Sequence, residues 1–221
     1  MDDRGLLTAN HPMAVALWLL TAVTLALLAL ATRKLEGSRQ YADNFAPSNQ
    51  SCIAHWLAGL GFLLTVVQNP PVLAGYLGVF WKALGFASVP CFVLAGLARR
   101  KGQQPFFAFH MIPCLFLVMH LINHYQTWSG NPRMQDYVFA LLGLCAVILF
   151  SYYTAAFDVD LGSRRMRLFT GLSAVYLCMT ALPRNGYLPL LAGCLFWILG
   201  DLELQAPEPK QQKEETGNDP S

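Results

Sequence analysis

Three histidines with helical spacing are the residues of this sequence best placed to do chemistry. His110, His120 and His124 lie in one apolar stretch, and at about 100° per residue they fall within an arc of about 80° on one helix face. An imidazole inside hydrocarbon needs a polar partner, so this face is predicted to look into a helix bundle or a wet cavity. Asn123 extends the polar end of the same helix. These four residues are candidates for lining a cavity or binding a ligand.

One lysine joins these candidates because of its depth. Lys82 precedes Arg99 in the same apolar stretch, and a rise of about 1.5 Å per residue places it about 25 Å from the inner end of the helix. Its side chain is predicted either to snorkel to the outer interface, beside Trp81 and Tyr76, or to contact a substrate from outside. Asp201, at the inner end of the last apolar stretch, is predicted to be solvated.

The histidine face admits a structural interpretation and a transport interpretation. Hydrogen bonds from His and Asn between helices are ordinary in membrane bundles, and His120, Asn123 and His124 crowd the outer end of their helix, where water can reach them. In the transport interpretation, the face lines a path for a small solute, an ion or a proton. The further liners of that path are Lys82, Thr65, Ser88 and Tyr152.

Haem binding is a third interpretation of the histidines. The spacing of His110 and His124 resembles the one by which a cytochrome b helix holds two stacked haems, one in each leaflet. The resemblance covers a single helix. It implies haem b as the cofactor, with His55 opposite His110 and His11 opposite His124 as the second ligands.

Zinc chemistry is a fourth interpretation. The patterns Ser51-x-x-x-His55 and His120-x-x-x-His124 are similar to two signatures of the seven-helix membrane hydrolases that include the alkaline ceramidases and the progestin and adiponectin receptors. The resemblance implies a zinc ion on three histidines, with a Ser and an Asp nearby, and hydrolysis of lipid amides or related bonds.

The sequence also departs from that family. No Asp or Glu lies between His55 and Arg99, and the paired histidines are on the fourth apolar stretch instead of the last. Rise per residue separates His55 and His124 by about 20 Å in depth, too far for one zinc ion. No residue is therefore assigned to a hydrolase site, and neither haem nor zinc is the favoured cofactor.

The composition excludes several classes of protein. Hydrophobic residues make up 55% of the 221 residues and charged residues 13%, a balance typical of a membrane protein and not of a soluble domain. The net charge of +2 and the short basic clusters at helix ends give no footprint for nucleic acid. The 6 cysteines lie within apolar segments without metal-finger spacing, so they are predicted to be buried and free.

Apolar stretches long enough to cross a bilayer as helices organise the chain. The predicted spans are residues 13–31, 51–68, 79–99, 106–125, 137–157, 166–182 and 187–202. Basic residues cluster in alternate gaps, namely residues 32–50, 99–104 and 158–167, and in the tail. Because basic loops stay in the cytoplasm, the N-terminus is predicted outside and the C-terminus inside.

These features predict an all-α, polytopic protein of seven transmembrane helices in a bacterial-type plasma membrane. Residues 1–12 form a short external tail, residues 13–204 the membrane domain, and residues 205–221 a disordered cytoplasmic tail. The predicted function is that of a small-solute or ion transporter, or of a membrane partner or sensor subunit without chemistry of its own. The predicted partners are the lipid bilayer and a small solute or a membrane protein. A haem or metal protein is the alternative, and small residues on the helices leave homo-oligomers open.

Overall fold

The computed structural model describes residues 12–35, 37–69, 71, 75–128, 134–182 and 188–202. Across this part of the chain the regular structure is helical. The helices are α1 (Pro12–Thr32), α2 (Tyr41–Asn44), α3 (Asn49–Gln68), α4 (Tyr76–Arg100), α5 (Ala108–Trp128), α6 (Met134–Phe157), α7 (Arg164–Ala181) and α8 (Leu188–Asp201). His11, the predicted N-terminal tail apart from Pro12, and the whole predicted C-terminal tail lie outside the described residues.

The membrane class predicted from the sequence is confirmed by these helices. Five of them, α1, α3, α4, α5 and α6, are long and apolar enough to cross a bilayer. Helix α7 begins with a cluster of arginines, and α8 has 14 residues. The count of seven spans and the orientation of the termini therefore stay predictions.

The structure refines two predicted segments. Helix α4 begins at Tyr76 and is 25 residues long. The sequence places the start of this span near Val79 and leaves the residues before it as an interfacial turn or an extra helical turn; the structure shows an extra turn, which begins after Gly75 at a φ of +66°. The predicted gap of residues 32–50 contains the short helix α2. Both Tyr41 and Phe45 in that segment are buried.

The long helices pack in chain order around a ring. Each of α3 to α7 packs against the next, α8 packs against α7 and extensively against α3, and α1 lies outside the ring against α7. The residues after α1 lie beside the start of α7, and Ser48 N–H donates to the carbonyl of Arg99 at the end of α4. The basic clusters in residues 32–50, 99–104 and 158–167 thus share one end of the bundle, as their alternation in the sequence predicts.

Close contact between α3 and α8 depends on glycine. A Cβ on Gly61 would lie 2.6 Å from the Pro189 carbonyl oxygen, and one on Gly200 would lie 2.2 Å from the Ala54 Cβ. Because both positions lack a Cβ, the two backbones approach closely along their length. This contact brings the start of α3 beside the end of α8.

Candidate metal centre

All six helices of the ring contribute polar side chains at the end where the basic clusters lie. The chain enters or leaves each helix there, so residues remote in sequence become neighbours. They are buried and come from α3 (Ser51, His55), α4 (Arg99), α5 (His110), α6 (Thr154) and the turn after it (Asp158), α7 (Arg167) and α8 (Asp201). We call this set the inner cluster.

Asp201 is the centre of the inner cluster, and the prediction that it is solvated was wrong. Its exposed fraction is 0%, because α8 packs against α3 and the segment containing α2 covers this end of the ring. The Oδ1 atom accepts hydrogen bonds from Ser51 Oγ at 3.0 Å and from Arg99 Nε and Nη2 at 3.2 and 3.0 Å. Trp197 Nε1 donates to Oδ2 at 3.2 Å, and Arg167 Nη2 donates to the backbone carbonyl at 2.7 Å.

Two histidines point their Nε2 atoms into this cluster. His55 Nδ1 donates to the Ser51 carbonyl at 2.8 Å, and His110 Nδ1 donates to Asp158 Oδ2 at 2.6 Å. Because a carbonyl or carboxylate oxygen accepts, each Nδ1 carries a hydrogen, and Nε2 is the ring atom that remains to bind a metal ion. Both Nε2 atoms are buried without a hydrogen-bond partner. This is the arrangement by which metal-ligating histidines are held.

The three groups are close enough to share one ion. The ligand atoms of His55, His110 and Asp201 all lie within 4.8 Å of one another, and His55 Nε2 is 3.6 Å from Asp201 Oδ2. Ligands on a tetrahedral zinc lie about 2.0–2.2 Å from the metal and so about 3.3 Å apart. Movements of about an ångström in these side chains would bring them onto one ion.

Charge in the inner cluster is balanced by its own residues. Arg99 and Arg167 face Asp201, and Asp158 faces His110. Burial raises the pKa of the Asp158 carboxyl, and the adjacent His110 opposes that rise. Burial also raises the pKa of the Tyr41 phenol, whose oxygen accepts a hydrogen bond from Arg99 Nη1 at 3.3 Å.

The other two histidines in the described part of the chain form a second, separate group. The rings of His120 and His124 lie 4.2 Å apart, and Trp81 stacks on His120 at 6.0 Å. We call these three residues the outer cluster, which lies beside the buried Asn123. Ten residues of α5, about 15 Å of helix, separate His120 from His110.

The candidate residues for transport lie at several places in the described part of the chain. Phe116 and Leu117 are fully buried on α5 between His110 and His120, and they make the core apolar there. Lys82 is exposed on the surface of α4, and Tyr152 is 54% exposed. The hydroxyls of Thr65 and Ser88 donate to carbonyls of their own helices. The transport interpretation of the histidine face stays a prediction.

The haem interpretation finds one of its ligand pairs together. His55 and His110 are neighbours, as predicted, with ring centroids 6.0 Å apart and Asp201 beside them. His110 also stacks on Trp197 at 6.0 Å and an interplanar angle of 7°. The haem interpretation stays a prediction, and the carboxylate beside the two imidazoles suits a single ion.

The hydrolase resemblance is met only in part. Ser51 and His55 do lie beside a carboxylate, but the acid is Asp201 and the neighbouring histidine is His110. His120 and His124 lie in the outer cluster. The Ser51 hydroxyl donates to Asp201 Oδ1, and it also lies 3.5 Å from His55 Nδ1, which donates to the Ser51 carbonyl. With the hydrogen on Nδ1 the imidazole does not accept from the serine, as it would in a Ser-His-Asp relay.

Sequence reasoning missed the charged half of the inner cluster. Arg99, Arg167 and Asp158 were assigned to helix ends and turns as markers of orientation. Arg99 is 4% exposed, Arg167 0% and Asp158 8%. The available signal was Asp201, an acid in an otherwise apolar helix, since such an acid requires a buried cation or a metal.

Comparisons of this chain with protein families, curated proteins and solved structures found no match.

Proposed function

We propose that this protein is a multi-pass membrane protein that binds one divalent transition-metal ion at the inner cluster, with zinc as the first candidate. The ligands are His55 Nε2, His110 Nε2 and Asp201 Oδ2. The observation that carries the proposal is the pair of buried Nε2 lone pairs beside one carboxylate, with both Nδ1 atoms already hydrogen-bonded. Imidazole and carboxylate ligands suit zinc and the neighbouring first-row divalent metals.

The two Nε2 atoms without a hydrogen-bond partner are energetically costly. A buried polar atom without a hydrogen-bond partner costs about 1–3 kcal/mol, and His55 and His110 each contribute such an atom. A metal ion satisfies both at once. It also gives a role to the short bond between Asp158 and His110, which fixes the ring and increases the basicity of Nε2.

The number of ligands favours catalysis over a purely structural site. Structural zinc sites have four protein ligands, whereas catalytic sites have three and keep a position for water or substrate. A metal ion lowers the pKa of a bound water molecule, so this water can lose a proton near neutral pH and supply the hydroxide that attacks a substrate. We therefore propose a metal-dependent hydrolase that acts at one surface of the membrane, the cytoplasmic one if the basic clusters mark it.

Metal content measures the proposal directly. The full-length chain, purified in detergent and dialysed against zinc and then against metal-free buffer, is expected to retain about one zinc per chain. His55→Ala and His110→Ala are expected to lose it, because each removes a ligand. His120→Ala and His124→Ala, the matched controls in the outer cluster, are expected to retain it. Retention of zinc in both inner variants would overturn the proposal.

A further inference from the structure

A short segment covers the inner cluster from the end of the bundle. It contains α2 and Phe45, and Tyr41 and Phe45 pack with Phe157 in an apolar cluster separate from the main core. Tyr41 N–H donates to Asp160 Oδ1 at 2.8 Å, and the Tyr41 hydroxyl accepts from Arg99. We call residues 41–45 the cap. A segment as short as the cap can open locally without unfolding of the main core, to which it does not belong.

The Phe45 ring occupies the space in front of two arginines. The guanidinium carbon of Arg99 lies 3.8 Å from the ring centroid, and that of Arg167 lies 4.5 Å from it. An aromatic face attracts a cation, so one ring partly compensates two like charges. Arg167 Nη1 is buried and has no hydrogen-bond partner. This orphaned donor indicates that the place next to Phe45 suits a group that accepts hydrogen bonds.

Charge identifies the class of that group. Arg99 and Arg167 face Asp201, and Asp158 faces His110. A divalent ion on the ligands proposed above adds two positive charges to this buried site, and these require compensation. Two guanidinium groups with planar arrays of donors match the oxygens of a carboxylate or a phosphate, and of these two anions a phosphate monoester carries the larger charge, about −1.5 to −2.

We propose that the cap opens and that a phosphate group takes the place of the Phe45 ring between Arg99 and Arg167, beside the metal. This assignment rests on the proposed function and names its substrate class. The substrate is a phosphate ester, either a lipid headgroup or a soluble molecule, that enters from the end of the bundle. The closed cap keeps the arginines from water while no substrate is bound.

Inorganic phosphate is the first probe of this site. We expect it to bind the zinc-loaded full-length protein and to bind the chelator-treated protein at least about ten-fold more weakly. Phe45→Ala is expected to tighten phosphate binding about ten-fold, since the closed cap no longer competes. Phe86→Ala, at a half-exposed ring on α4, is the matched control and should leave affinity unchanged. Arg167→Lys is expected to lose most of the binding.

Each outcome decides a separate point. If zinc binds and phosphate does not bind either the wild type or Phe45→Ala, the phosphate site is wrong and the metal centre stands. If no zinc binds, the proposed function is wrong, and phosphate binding to the metal-free protein still decides whether the arginines form a site. Glycerol phosphate and micelles containing phosphatidate distinguish the sources, since tighter binding of one assigns the substrate to solution or to the membrane.

Discussion

The inner and outer clusters contain the same kind of residue in different surroundings. In the inner cluster, each imidazole is oriented by an oxygen on Nδ1 and faces Asp201. In the outer cluster, the rings of His120 and His124 meet edge to face, and Trp81 stacks on His120. The comparison teaches that burial of a histidine in a membrane bundle does not identify a site. Among the described residues, a carboxylate within reach of two buried ring nitrogens is what marks the inner cluster.

The largest expected effect comes from Asp201→Asn. The change removes the anion that faces Arg99 and Arg167, so two buried cations lose their partner. We expect unfolding in detergent to become easier by about 3–5 kcal/mol, with loss of bound metal. Asp43→Asn, at an exposed carboxylate, is the control and should shift stability by less than about 0.5 kcal/mol. A stable Asp201→Asn variant that still holds zinc would remove the distinction between the clusters.

A smaller effect is expected from Asp158→Asn. The amide keeps the size of the side chain but weakens the 2.6 Å bond that orients His110. Loss of such a supporting carboxylate reduces metal affinity about 10- to 100-fold. Zinc titration against a competing chelator measures the change. Affinity equal to that of the wild type would show that Asp158 does not support a ligand.

Ser51→Ala tests one donor to the same carboxylate. Its hydroxyl donates to Asp201 Oδ1 at 3.0 Å, alongside Arg99. Because Arg99 still satisfies that oxygen, we expect a loss of about 1 kcal/mol in unfolding free energy and retention of zinc. Denaturation in detergent, with zinc content measured in parallel, separates the two quantities. Complete loss of zinc would mean that Ser51 is itself a ligand.

The smallest effect is expected from Lys82→Ala, on the surface of α4. The side chain is exposed, while its neighbour Trp81 belongs to the outer cluster. Unfolding free energy should change by less than about 0.5 kcal/mol and zinc content should not change. A large loss of unfolding free energy or of bound zinc would indicate that Lys82 belongs to a site, as the transport interpretation predicts.

The sequence was sufficient for the all-helical class with apolar helices of membrane-spanning length, because apolar length is a local property. His110, His120, Asn123 and His124 are buried, whereas one interpretation of the sequence placed the last three within reach of water. It also predicted that His55 and His110 share one end of the bundle. It did not predict that Asp201 joins them. Rise per residue gives the depth of a residue but not its lateral neighbours, and the packing of α8 against α3 depends on Gly61 and Gly200.

The arginines were missed for a related reason. A cation at the end of a membrane helix serves equally well to mark orientation or to pair with a buried acid. Arg99 and Arg100 are adjacent in sequence, yet the first is buried against Asp201 and the second is exposed. Only the order of the helices around the ring decides which of the two turns inward.

X-ray absorption at the zinc edge of the loaded full-length protein tests the central claim most directly. We predict a spectrum with two imidazole ligands and a carboxylate oxygen at about 2.0–2.2 Å from the metal, reduced to one imidazole in His110→Ala. Sulfur at about 2.3 Å, or an imidazole count unchanged by His110→Ala, would contradict the assignment of the inner cluster as a metal centre.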